Sequence, residues 1–175
     1  DILINIGLAY SEMNKLDEAL QYLEKAKKID IKQSEVCFNI GLVYEKKESL
    51  NDAIINYELS IKHNPKNINA LINLGNLLLQ TQNYEKAKKN YEKALKISPD
   101  NLDLYHNLGI VFTKLNDVDK SIESYSKAIK LHTKNSLTFY NLGILFFKKL
   151  KVEETVKNYK KAIELNHKNS KFFYN

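Results

Sequence analysis

Residues 71–78 read Leu71-Ile72-Asn73-Leu74-Gly75-Asn76-Leu77-Leu78. Leu71, Leu74, Gly75 and Leu78 follow a three-, four- and seven-residue spacing, the period of a helix face rather than a strand. Glycine inside such a stretch costs roughly 1 kcal/mol against alanine, so its presence calls for a packing reason. The chain has five glycines, Gly7, Gly41, Gly75, Gly109 and Gly143, each 34 residues after the one before. Each follows an asparagine and a branched aliphatic residue: Asn5-Ile6, Asn39-Ile40, Asn73-Leu74, Asn107-Leu108 and Asn141-Leu142. Such regularity identifies internal repeats, and repeats decide the architecture before any single element does.

Other columns keep the same period. Three residues after each glycine stands a large apolar group, Tyr10, Tyr44, Leu78, Phe112 or Phe146; twelve after it stands a small one, Ala19, Ala53, Ala87, Ser121 or Thr155. Sixteen after come Leu23, Tyr57, Tyr91, Tyr125 and Tyr159, and nineteen after come Ala26, Ser60, Ala94, Ala128 and Ala162. Small groups facing large ones let two helices approach while rings fill the space between them. Each repeat therefore predicts two helices of about 14 residues, each roughly 21 Å long. Polar links such as Asn14-Lys15 and Asn116-Asp117 separate the two, and Asp17, Asn51 and Asp119 are expected to cap or charge the second helix. Asn64-Pro65-Lys66-Asn67 and Ser98-Pro99-Asp100-Asn101 end repeats cleanly.

The pattern resembles the tetratricopeptide repeat, whose signature sets an aromatic, Leu-Gly, Tyr, Ala, an aromatic, Ala and Pro along 34 residues. The resemblance spans the whole chain. It implies an all-α fold, a right-handed α-solenoid of antiparallel helix pairs, with repeats at 1–33, 34–67, 68–101, 102–135 and 136–169 and the start of a sixth at 170–175. Three departures stand out. Leu3, Cys37, Leu71, Tyr105 and Phe139 replace the usual tryptophan; Ile31, Thr133 and His167 replace proline; and Ser121 and Thr155 replace the small alanine, which predicts some splaying of the later repeats. No polar capping element is visible at either end. The chain is thus expected to be a slice of a longer array, with Asp1 and Phe172-Phe173-Tyr174 available for self-association.

Composition is that of an ordinary soluble domain, with 43% apolar and 27% charged residues. No run of 18 apolar residues and no signal-peptide pattern occurs, and the single cysteine, Cys37, has no intrachain partner. These features predict a reducing setting, cytoplasmic or nuclear, and no membrane. The formal charge of +6 comes from lysines interspersed with glutamates, as in Glu24-Lys25-Ala26-Lys27-Lys28, and no arginine is present to fork onto phosphate or guanine. The lysines read as a solvated face, and nucleic acid is not an expected partner.

Catalytic constellations are missing from the sequence. The glycines are too far apart to cradle a phosphate, and there is no His-Glu-x-x-His, Cys-x-x-Cys or Gly-x-Ser-x-Gly. His63, His106, His132 and His167 lack metal-ligand spacing, and Cys37 holds a packing position, which predicts a buried, inert thiol. The expectation is a non-enzyme with no cofactor and no metal.

The asparagine column remains: Asn5, Asn39, Asn73, Asn107, Asn141 and Asn175, the sixth position of every repeat. Asparagine offers one acceptor and two donors and so can pair with a peptide C=O and N–H without reading sequence. Helix layers about 8–10 Å apart would place one rung at about every third residue of an extended ligand. In the family, positions 2, 5, 6, 9, 12 and 13 tend to face the groove. The resemblance thus implies a ladder of amides along it, similar to the groove asparagines of the O-GlcNAc transferase superhelix. His106 and Tyr140 at position 5 are further groove candidates, with Asn76 at position 9. Co-chaperones of this class clamp a terminal carboxylate with lysine, arginine and asparagine; here Asn76 and Asn107 match, but Ile72, Leu137 and Asn141 stand where the cations belong. That reading is rejected.

The functional expectation is a protein-interaction scaffold that binds an extended peptide segment. A substrate-recruiting arm of a glycosyltransferase and a self-assembling structural element are the alternatives.

Overall fold

A computed structural model describes residues 2–29 and 33–165. Asp1, Ile31, His167 and the 170–175 segment, Asn175 included, lie outside the described residues. The described residues form ten helices and no strands, in two compact units. The first unit holds α1 (Ile2–Glu12), α2 (Leu16–Lys28), α3 (Gln33–Lys46), α4 (Leu50–His63), α5 (Ile68–Gln80) and α6 (Tyr84–Ile97). The second holds α7 (Leu102–Lys114), α8 (Val118–Lys130), α9 (Ser136–Lys148) and α10 (Val152–Leu165). Odd helices are the first of each predicted pair and even helices the second, so the expected all-α helical-pair class is the one observed.

Each odd helix stops in the same way. Asn14, Glu48, Gln82, Asn116 and Leu150, spaced by 34, all take a left-handed φ of 57–62°. The next amide then reaches back to the carbonyl of the large apolar residue three after the glycine, as Lys15 N–H does to Tyr10 and Asp117 N–H to Phe112, both at 2.9 Å. This is the reversed bonding that closes a helix C-terminus. The repeat-joining links behave as expected: Asn67, Asn101 and Asn135 precede α5, α7 and α9, and their side chains accept from the first-turn amides of Ala70, Leu104 and Leu137.

At the start of the second helices Asp17 and Asp119 supply the expected first-turn charge, but none of the three residues is the cap. The residues before α2, α4 and α8 are Lys15, Ser49 and Asp117, and only Asp117 accepts a backbone N–H through its carboxylate. Asp17, Asn51 and Asp119 lie inside the first turn instead. Two of them keep a charge role, since Asp17 pairs with Lys47 and Asp119 with Lys149 of the following repeat. Asn51 is exposed and does not cap α4.

The core sits between paired helices. Tyr57, Tyr91 and Tyr125 are its largest fully buried side chains, joined by Leu23, Ile40, Leu71 and Leu104. A Cβ added at Gly75 would stand 2.5 Å from the Tyr91 ring, and Gly41, Gly109 and Gly143 face Tyr57, Tyr125 and Tyr159 at 2.5–2.6 Å. The glycines are therefore what let the tyrosines lie against the neighbouring helix. Within the later helix pairs the predicted splaying does not occur, since Gly109 and Gly143 meet their tyrosines as closely as Gly41 and Gly75 do. Ser121 is fully buried, its hydroxyl donating to the Gly109 carbonyl at 2.7 Å and bonding Thr113 Oγ1 at 2.7 Å, so the polar atom is satisfied where alanine stands elsewhere. Thr155 likewise donates to the Lys151 carbonyl at 2.7 Å. Thr133, in place of proline, is buried and accepts from the Asn135 N–H at 3.1 Å.

Candidate functional site

The asparagine column stands two residues before the glycine of the helix-pair contact, and Asn73 and Asn141 reach the tyrosine of the preceding repeat. Asn73 Nδ2 donates to Tyr57 Oη at 3.4 Å, and Asn141 Nδ2 donates to Tyr125 Oη at 3.2 Å. Each pair is 16 residues apart and links two consecutive repeats within one unit. Asn39 has Leu23 in the tyrosine's place and is itself buried, whereas Asn5 on α1 is exposed. Asn107 is half-buried and engaged. Asn76 is exposed, and its Oδ1 accepts from Tyr91 Oη at 2.7 Å.

The tyrosines gather a second contact from position 5. Phe38 lies 5.7 Å from Tyr57, His106 lies 5.6 Å from Tyr125, and Tyr140 lies 5.7 Å from Tyr159, ring centroid to centroid. His106 is only 7% exposed, with Nδ1 2.8 Å from Thr138 Oγ1. Burial holds its pKa below the ordinary 6.5, opposed by the nearby Asp103 carboxylate. Tyr140 is half-buried and keeps part of its ring open. Burial raises the Tyr57 hydroxyl, helped by its bond to Glu45 at 2.7 Å, and pushes Tyr125 up to about 12 against the hydrogen bonds from Asn141 and Thr113. These hydroxyls therefore stay neutral and remain both donors and acceptors near neutral pH.

Within the first unit one amide of the column, Asn39, borders an open cleft of about 790 Å³. Position 2 contributes Glu35 and Asn69, position 5 Phe38, position 6 Asn39 and position 9 Leu8, while Asn64 and Asn67 come from the link after α4. Asn67 is held in place there, donating to Ser34 Oγ at 3.2 Å and Ser60 Oγ at 3.0 Å. Asn64, Asn67 and Asn69 were not among the sequence candidates. Asn67 carried a signal, since it shares a 34-residue column with Asn101 and Asn135; Asn64 and Asn69 have no such column. The cleft gathers Asn39 but leaves Asn5 and Asn73 outside its lining, and it is distinct from the second unit's Asn107, Asn141, His106 and Tyr140.

Cys37 is fully buried, and burial raises its thiol pKa, as the packing reading requires. Among the described residues no group of three or more His, Cys, Asp or Glu side chains is arranged to hold a metal ion. No helix among them is long and apolar enough to cross a membrane.

Tetratricopeptide-repeat family models match residues 1–31, 34–67 and 56–89, and a TPR-repeat model matches 75–116 and 111–149. A search of curated proteins returned no match. Among solved structures the chain is similar to MamA at 25% identity and a TM-score of 0.86, covering 93% of this chain and 95% of that one. MamA 41-end from Desulfovibrio magneticus RS-1 matches at 21% identity and 0.86 over 97% and 96%. YrrB, a TPR protein with an unusual peptide-binding site, matches at 20% identity and 0.85 over 98% and 89%. With a 34-residue helix pair built on the glycine–tyrosine contact, and repeat models matching from residue 1 to residue 149, the chain belongs to the tetratricopeptide-repeat family, a solenoid class of all-α proteins.

Proposed function

We propose that this chain is a protein-interaction scaffold that holds an extended peptide segment against its amide-lined surface. The observation that carries the reading is the cleft of about 790 Å³ in the first unit, whose lining includes Asn39, Asn64, Asn67 and Asn69 together with Phe38. Its volume falls within the usual range for ligand pockets, though it is open rather than enclosed. Amides pair with a backbone C=O and N–H whatever the side chains, and Phe38 and Leu8 offer apolar surface to one or two of those side chains. Asn73 and Asn141 use one N–H on a tyrosine and keep Oδ1 and the second N–H for a ligand. The peptide-binding site of YrrB, a protein of the same fold, supports the same class of partner.

A peptide array probed with the intact chain and with an Asn39→Ala, Asn69→Ala, Asn73→Ala variant tests this. The variant should lose most bound peptides while its melting curve still shows a cooperative fold. Equal binding by a folded variant removes the amides from the function.

A further inference from the structure

The lysines fall into two kinds. Lys46, Lys47, Lys88, Lys149 and Lys161 each meet a carboxylate and so belong to a solvated, self-neutralised surface. Lys86, Lys89 and Lys93 of α6 are exposed and have no ion-pair partner among the described residues. At i, i+3 and i+7 they share one helix face. That face is one wall of a groove of about 230 Å³ whose floor is Leu74 and Leu78 of α5 and whose far wall is Glu58 and Ile61 of α4. It shares no lining residue with the amide cleft.

The second unit repeats the arrangement. Leu108 and Phe112 form the floor and Lys120, Lys127 and Lys130 the wall of a groove of about 470 Å³, which also contains Glu123. Residues 108, 112, 120 and 127 stand 34 after 74, 78, 86 and 93. Here two ammonium groups lie over rings, Lys120 at 5.7 Å from Phe112 and Lys127 at 6.0 Å from Tyr105, and Lys120 also pairs with Asp117. The first unit's groove is the better-charged of the two, with three unpaired lysines against one Glu58.

We propose that the groove over Leu74 and Leu78 docks an acidic, extended segment of a partner protein, its carboxylates on Lys86, Lys89 and Lys93 and an apolar side chain on the leucine floor. Helical rise sets the three lysines roughly 4.5 and 6 Å apart along the axis. Carboxylates on alternate residues of an extended chain recur about every 6.6 Å, close to the Lys89–Lys93 interval and within reach of the flexible Lys86 side chain. Three like charges on one face repel one another, and an entering carboxylate relieves the repulsion. A nucleic acid fits less well, because no arginine is present for bidentate phosphate contacts and the leucines of the groove offer a phosphate backbone no hydrogen bond.

Fluorescence anisotropy with the intact chain tests this at low salt. Three probes are used: a labelled peptide alternating aspartate and serine around a central leucine, the same peptide with asparagine for aspartate, and a single-stranded oligothymidine. The acidic peptide should bind, its asparagine counterpart should bind at least tenfold more weakly, and Lys86→Gln, Lys89→Gln, Lys93→Gln together should weaken the acidic peptide about tenfold. Helix content should not change, since the three side chains are exposed. Asn39→Ala with Asn69→Ala should leave this binding intact. Unchanged affinity in the lysine variant overturns the proposal, as does oligothymidine binding as tight as the peptide. Loss of the acidic peptide in the asparagine variant alone also overturns it, and would place that peptide in the amide cleft instead.

Discussion

Asn141 donates an Nδ2 proton to the hydroxyl of Tyr125, 16 residues earlier and in the preceding repeat, at 3.2 Å. Asn73 makes the same bond to Tyr57 at 3.4 Å. Two members of the column that reads as a ligand ladder are thus also clips between repeats. Removing one partner of a part-buried hydrogen bond costs about 1 kcal/mol. Tyr125→Phe and Asn141→Ala should each lower unfolding free energy by roughly that amount, and a double-mutant cycle in urea should show coupling above about 0.5 kcal/mol. Strict additivity would mean the bond contributes nothing.

Gly75 touches the Tyr91 ring so closely that a methyl group there would sit 2.5 Å from it. Tyr91 is fully buried and its hydroxyl is tied to Asn76, so the ring has little room to move aside. Although alanine favours a helix over glycine, Gly75→Ala should destabilise by about 1–3 kcal/mol through overpacking. A thermal melt equal to or above that of the parent protein would contradict the tight contact.

Leu150 has a φ of 57° and is 85% exposed, while Asn14, Glu48, Gln82 and Asn116 hold the same turn in other repeats. A leucine gains nothing from burial here and carries the left-handed penalty of about 1–2 kcal/mol. Leu150→Gly or Leu150→Asn should raise the melting temperature, with a gain of about 1 kcal/mol by urea denaturation. The reciprocal Asn116→Leu should lower it.

His106 makes stability depend on pH. Its folded pKa lies below the ordinary 6.5 because burial disfavours the imidazolium, so the unfolded state takes up a proton first. The sign follows: stability is whole above pH 6.5 and falls as pH drops from there toward the lowered folded value. Urea titrations between pH 8 and 5 should show this loss, and His106→Gln should flatten the part of the slope that the imidazole causes. An unchanged slope in the variant would assign the dependence to other groups.

Much of the fold was legible because the same physical demand recurs every 34 residues. A tyrosine laid on a helix backbone excludes every side group but hydrogen, and that is visible as a glycine column beside a tyrosine column. The capping residues were harder to read. Asp17 and Asp119 look like caps by composition, yet the left-handed residue at 14 and 116 starts each second helix two residues earlier, and the carboxylates turn to Lys47 and Lys149 instead. Ser121 in an alanine column looks like a loosened contact until the hydroxyl's bond to the Gly109 carbonyl is seen.

The repeat length, the two helices per repeat, the helix-pair contact and the position of every asparagine follow from the order of residues alone, because these rest on local periodicity and on residue size. Which group each side chain meets is settled only when the repeats stack. Whether an amide faces solvent, a tyrosine hydroxyl or a buried wall depends on how far consecutive repeats are displaced, and no spacing in the sequence encodes that displacement. Asn5 exposed, Asn39 buried and Asn73 bonded to Tyr57 occupy one sequence column and three different environments.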